Sequence, residues 1–241
     1  MAKLKYNDFN ITNIELDRDS HIYTLSNNKS INFTSVTTYI SEFFEKFDSL
    51  KTATKLVNTV PRYSHLTVEE LLSEWNFARD HGTKVHNQIE DNLIHGIEAS
   101  EQKAIQGLNW LNKHISTDKH QVFAEKIIYS EEIKLAGSID LIIHNKETNQ
   151  YTIVDWKTNA KISTSAYRGK TGTHNITSNI DDCKYNVYAL QLSAYRYILE
   201  EYYNLSIYRQ FIVHLKDDQA IVYLTPYLKD HIKKIFDLRK E

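Results

Sequence analysis

Apolar and polar positions along this chain recur with two periods, and the switches between them mark the elements. "HIYTLSNNKSINFT" (21–34) alternates residue by residue around Asn27-Asn28, which reads as a β-hairpin. "SVTTYISEFFEKF" (35–47) changes to the four-residue spacing of Tyr39, Phe43 and Phe47, a helical stripe. "DSLKTATKLVN" (48–58) predicts a second short helix that stops before Pro61. The stretch "TVEELLSEWNFARDHGTKVHNQIEDNLI" (67–94) opens on Thr67 and Glu70 at capping-box spacing. Leu71, Trp75, Ala78, Val85, Ile89 and Leu93 follow at a roughly helical period, with Gly82 as a weak point or break. "SEQKAIQGLNWLNKHI" (100–115) predicts another helix, capped by Ser100.

Three strands follow, at about 121–130, 135–144 and 151–158. Residues 159–180 show no periodicity, and an irregular segment of that length inside a compact domain is often functional or mobile. A long amphipathic helix begins near Asp182, and strands in "SIYRQFIVHL" and "QAIVYLTP" precede a C-terminal helix. The order predicts an α/β fold, a mixed central sheet flanked by helices. Residues 1–66 read as an N-terminal hairpin and helices added to a core at 67–241.

With 41% hydrophobic and 25% charged residues, six Gly and two Pro, the 241-residue chain has the balance of a soluble, compact, helix-rich protein. A net charge of -2 argues against a blanket electrostatic hold on nucleic acid but leaves room for a local basic groove. The lone Cys183 excludes an intrachain disulfide and a multi-cysteine zinc or iron–sulfur site. No apolar run reaches membrane-span length, and "MAKLKYNDFN" lacks the apolar core of a signal peptide, so a cytoplasmic location without membrane attachment is expected.

The chemistry concentrates in "GSIDLIIHNKETNQYTIVDWKT" (137–158). Two strand-like runs each carry an aspartate amid Ile, Leu and Val. If 145–150 is the loop, residues opposite one another have numbers summing to 295, and Asp140 and Asp155 are such a pair. Ser138, Asp140, Ile153, Asp155 and Lys157 then share one face, and Ile139, Leu141, Ile143, Val154 and Trp156 the other, as a core face. Opposed like charges repel, and a divalent cation such as Mg²⁺ offsets that. A cation beside the Lys157 ammonium suits phosphodiester hydrolysis. The other reading is a surface hairpin whose polar face happens to be Asp and Lys.

Upstream, "GTKVH" runs from Gly82 to His86, and downstream "QLSAY" from Gln191 to Tyr195. Taken in order with Gly137 to Asp140 and Asp155 to Lys157, these four motifs resemble the PD-(D/E)XK nuclease superfamily. The closer similarity is to its RecB-like exonuclease branch, which includes mitochondrial genome maintenance exonucleases and related phage proteins. The resemblance covers roughly residues 67–215 and implies a restriction-endonuclease-like core. It also implies a metal-dependent DNA exonuclease, acting on single-stranded DNA or strand ends in recombination, repair or phage DNA metabolism. His86, Asp140, Asp155 and the Trp156 carbonyl are the implied ligands of Mg²⁺ or Mn²⁺, Lys157 the catalytic lysine, and Gln191 and Tyr195 the pair beside the site that positions DNA. Iron–sulfur clusters found in some members are excluded here by the single cysteine.

Further candidates carry two readings each. Glu125 resembles an acid of the first core strand in this branch, or is a surface carboxylate. Glu90, one turn beyond His86, is either an outer partner to a ligating histidine or a solvated helix residue. Tyr188 and Lys184 share the helix face of Gln191, although most of the sixteen tyrosines must be packing residues. Lys161, Arg168 and Lys170 could track a DNA backbone or form a solvated loop. Ser35, with Thr37, could meet a phosphate, or simply cap a helix. Phe43, Phe44 and Phe47, with Lys46, Lys51 and Lys55, would form a DNA-clamping arch or core packing. An endonuclease of the same chemistry and a non-catalytic DNA-binding module are the alternative functions.

Overall fold

The computed structural model describes residues 13–18 and 20–240. The chain begins with a hairpin of strands β1 (Ile14–Asp17) and β2 (Ile22–Leu25), paired from Ile14–Leu25 to Asp17–Ile22. Its turn lies at 18–21, not at Asn27-Asn28 as the alternation suggested. The alternation after Asn28 has a different cause. Strand β3 (Thr34–Ser35) leaves the hairpin and joins the main sheet, parallel to Leu135–Ala136. The helix expected over 35–47 is limited to α1 (Val36–Ser41), capped by the Ser35 hydroxyl, and tight turns follow it. Tyr39, Phe43 and Phe44 nevertheless go into the core, with Tyr39 and Phe43 meeting edge to face.

Helix α2 (Ser49–Thr59) is capped by Asp48. Helix α3 (Val68–His95) then runs unbroken for 28 residues, with the Thr67–Glu70 capping box formed in both directions. Gly82 does not break it. A Cβ there would stand 2.8 Å from the Thr158 hydroxyl, so this glycine allows α3 to lie close against the segment that follows the Asp155 strand. Helix α4 (Gln102–His114) starts one residue later than expected, with Glu101 at its N-cap, while Ser100 is held by Gln88.

Strands β4 (His120–Ser130), β5 (Leu135–Asn145) and β6 (Gln150–Lys157) form an antiparallel meander. Helix α5 (Lys184–Glu201) crosses over, so strand β7 (Ile207–Leu215) lies parallel to β6. Strand β8 (Ala220–Leu224) is the antiparallel edge, and α6 (Lys229–Asp237) closes the chain. The main sheet is mixed, in the order β3-β5-β6-β7-β8 with β4 on the other edge of β5.

Helices cover both faces of this sheet. One layer gathers α1, α5 and α6 over Ile142, Ile153 and Ile212; the other gathers α3 and α4 over Leu141, Ile143, Val154, Trp156 and Val213. The face expected to carry Ser138, Asp140, Ile153, Asp155 and Lys157 is therefore also a core face, where Ile153 is buried. Ile139, expected beside Leu141, packs with Ile142 and Ile153 instead. The strand alternation is interrupted next to it, where Glu125 on the neighbouring strand takes a φ of 45° and the β4–β5 ladder skips a pair.

Pairing along β5 decides where chemistry can occur. The β5–β6 ladder keeps the predicted register, from Asn145–Gln150 to Leu141–Val154, and stops there. Beyond it β6 stays with β7, while β5 meets β3 only at Leu135–Ala136. Residues 137–140 thus lie on an open stretch of strand edge, and Tyr195 of α5 packs into it. A Cβ on Gly137 would stand 2.6 Å from Tyr195 Cε1. Gly137→Ala is therefore expected to cost about 1–3 kcal/mol through overpacking. Thermal melting should show a loss of several degrees; an unchanged Tm would mean that the Tyr195 ring yields freely.

Candidate active site

The opening of β5 from β6 is what brings the two aspartates together without zipping them into a ladder. Instead of a strand pair, Asp140 Oδ2 accepts the Trp156 backbone N–H at 2.7 Å. The same oxygen lies 3.5 Å from Nδ1 of His86, which α3 presents two turns before its end. Asp155, only 3% exposed, faces Lys157 Nζ at 2.6 Å through its Oδ2. Its Oδ1 accepts from Gln191 Nε2 at 3.3 Å, and that amide also donates to the Tyr195 hydroxyl at 3.3 Å.

Glu125 completes the group. The β4–β5 register, with Ala124 opposite Leu141 and Lys126 opposite Ile139, sets Glu125 beside Asp140. The Ser138 hydroxyl donates to Glu125 Oε2 at 2.8 Å. One ligand atom from each of His86, Glu125 and Asp140 lies within 4.8 Å of the others. All these groups line one cavity of about 330 Å³, with Gln191, Tyr195, Gly82 and Thr83.

Charge and burial oppose each other here. Burial pushes the Glu125 carboxyl up to about 7, and the charge of Asp140 adds to the rise. Burial also lifts Asp155 to about 6, against the pull of Lys157. For Asp140 burial acts upward too, but His86, Lys157 and the Trp156 N–H outweigh it and hold the acid below the usual carboxylate range. Burial disfavours the His86 imidazolium, yet Asp140 raises its pKa on balance. The Lys157 ammonium is desolvated as well, and Asp155 and Asp140 keep it charged by raising its pKa.

Glu125, whose ionisation is suppressed by burial and by the charge of Asp140, the ionised Asp140 and the His86 imidazole are groups that could hold a hard divalent cation. A carboxyl with a raised folded pKa stabilises the fold below its unfolded value, and that contribution is lost as pH rises through the folded value. Metal-free protein should therefore lose stability between about pH 4 and about pH 7, through Asp155 first and Glu125 next. Stabilisation by Mn²⁺ or Mg²⁺ should grow over the same window, because a cation competes with protons for the same oxygens. Calorimetry in EDTA and in Mn²⁺ would measure both. In Glu125→Gln the metal-free decline should be shallower, and an equal decline would remove Glu125 from this account.

The cavity gathers His86, Glu125, Asp140, Asp155, Lys157, Gln191 and Tyr195. Tyr188 stands just behind them: its ring faces Lys157 Nζ at 4.6 Å, and its hydroxyl donates to Asn159 Oδ1 at 2.8 Å. Trp156 packs its indole against Trp110 on the far layer, while its backbone N–H serves Asp140. Other candidates lie elsewhere. Glu90 pairs with Arg18, Lys170 with Glu45, and Arg168 sits in a left-handed turn of the 159–180 segment. The Ser35 hydroxyl is engaged with Thr37 and Thr38 at the α1 cap, although Thr37 itself lines the cavity. Phe43 and Phe44 are buried, and Phe47 is exposed beside Trp75. Leu16, Arg18, His21 and Tyr23 also line the cavity; no local pattern marks them, because the hairpin reaches the site only by tertiary packing.

A mixed sheet with acids at a strand opening and a lysine two residues on defines a phosphodiester-cleaving class of site. The sequence profile of the PD-(D/E)XK nuclease superfamily matches residues 41–238, and the chain belongs to that superfamily of hydrolytic nucleases. No curated protein matches the chain. Among solved structures, SSO0001 is 13% identical, with 88% of this chain and 77% of that one covered at a TM-score of 0.36. A Eubacterium rectale protein described as a "putative exonuclease" is 10% identical, with 86% and 77% covered at a TM-score of 0.35. Scores this low carry no argument about activity. No helix among the described residues is long and apolar enough to cross a membrane.

Proposed function

We propose that this nuclease is a metal-dependent deoxyribonuclease of the RecB-like exonuclease type, degrading single-stranded DNA or strand ends. The observation that carries the reading is the opening between β5 and β6, which joins His86, Glu125, Asp140, Asp155 and Lys157 in one cavity.

His86, Glu125, Asp140 and Asp155, with the Trp156 carbonyl, are the groups that would hold Mg²⁺ or Mn²⁺. Such a cation, when bound, neutralises phosphoryl oxygens and makes a nucleophile available at neutral pH. Lys157 keeps its proton and places a fixed positive charge where negative charge develops on the phosphate. Gln191 orients Asp155 through its amide, and Tyr195 fixes Gln191 and fills the space above Gly137. Tyr188 limits the travel of the Lys157 ammonium from below. Recombination, repair or phage DNA metabolism is the setting that this activity suits.

The test uses end-labelled linear and circular single-stranded DNA with Mg²⁺, Mn²⁺ or EDTA. Metal-dependent loss of the linear substrate alone is expected, and the label's position gives the polarity. Cutting of the circle would establish an endonuclease instead. Binding without cleavage of either, or of a duplex, would leave a DNA-binding module.

A further inference from the structure

One wall of the catalytic cavity comes from the N-terminal hairpin. Ile14, Tyr23 and Leu25 pack with Tyr129 and Ala136, and the Tyr129 hydroxyl donates to Asn13 Oδ1 at 3.1 Å. This fastens the hairpin to β4 and β5, so its turn stands over the acidic cluster. Arg18, the first residue of that turn, lines the cavity with His86, Asp140 and Asp155. Its Nη2 alone serves both oxygens of Glu90, at 2.7 and 2.8 Å. Glu90 lies one turn beyond His86 on α3.

A guanidinium has five N–H donors in a planar fork. Glu90 occupies one nitrogen of Arg18, and among the described residues Nε and Nη1 have no partner. The Arg18 side chain is 58% exposed while that of Glu90 is 16% exposed, so the carboxylate is sunk and the fork is open.

A polyanion entering this cavity meets Glu125, Asp140 and Asp155. Lys157 is committed to Asp155, and His86 to Asp140. Arg18 is the cation on the wall with donors still to spend, and a planar fork matches two oxygens of one phosphate.

We propose that Arg18 is a phosphate-binding residue that grips a phosphodiester flanking the one being cleaved, with Glu90 holding the guanidinium in place. The proposal rests on the nuclease reading and assigns one substrate contact to the hairpin.

The test is a single-turnover cleavage series on single-stranded oligonucleotides with one neutral methylphosphonate, moved stepwise around the cut. With the wild-type protein, one position should weaken substrate use by on the order of tenfold, as loss of a charge-assisted bond does. Arg18→Ala should lose about the same on the unmodified strand, mainly in KM, and should lose nothing further when that position is modified. Arg18→Gln, which keeps a neutral bond to Glu90, should match Arg18→Ala, and melting in EDTA verifies that each is folded. If the two losses multiply at every position, to about a hundredfold, Arg18 only pins the hairpin and the assignment fails. If the wild-type protein cleaves no strand under any metal, the nuclease reading itself has failed, and this one with it.

Discussion

Replacing Lys157 with alanine should abolish cleavage while leaving DNA binding within a few-fold of wild type. The ammonium sits 2.6 Å from Asp155 and over the Tyr188 ring, in a position that water cannot refill with positive charge. Losing one fixed donor to developing charge typically costs on the order of 10²–10³ in rate. The loss here should reach the upper end, because Lys157 also sets the ionisation of Asp155. Without the lysine, burial would drive that carboxyl higher than about 6 and it would be protonated near neutrality. The same protonation limits damage to the fold, since a neutral Asp155 needs no counter-ion. Single-turnover cleavage with excess protein, beside fluorescence anisotropy in EDTA, separates the effects. A Lys157→Ala variant that cuts at the wild-type rate would refute the assignment.

Asp140→Asn should lose both cleavage and stabilisation by metal. Asp140 is the one carboxylate of the group held ionised by its surroundings, through His86, Lys157 and the Trp156 N–H. An asparagine can still accept the Trp156 N–H, so the geometry of the strand opening should persist. The charge that draws a cation between His86 and Glu125 is gone, however, and cleavage should fall on the order of 10³-fold. Metal-free Asp140→Asn should be less stable than wild type near pH 7, because folding favours the ionised acid that it removes. Glu125→Gln should differ in sign, since folding disfavours that charge. Calorimetry with and without Mn²⁺ distinguishes them, and a full Mn²⁺ response in Asp140→Asn would move the ligand set away from this strand.

Local chemistry made much of this readable before any coordinates. The Thr67–Glu70 box, the three strands of the meander and the β5–β6 register up to Leu141–Val154 depend on neighbours within one hairpin or one helical turn, although the expected pairing of Asp140 with Asp155 does not form. Gly82 and Gly137 have roles that local pattern does not show, for the opposite reason. Each yields space to a side chain distant in sequence, the Thr158 hydroxyl or the Tyr195 ring. The Asn27-Asn28 hairpin failed because alternation shows which residues can be extended but not what they pair with. Residues 34–35 found β5 instead, a hundred positions away.

The site divides in the same way. Periodicity and spacing alone determined that Asp155 and Lys157 alternate on one strand, and that Gln191 and Tyr195 share one helix face. Only the tertiary structure decided that the β5–β6 ladder ends at Leu141–Val154, which opens the edge where those groups meet. It also decided that Glu125 lies beside Asp140 and that Arg18 stands on the cavity wall. Strand opening and hairpin docking are set by competition among long-range contacts, the pull of β7 on β6 and the packing of Tyr23 on Tyr129 and Ala136. No local pattern in the sequence records the outcome of that competition.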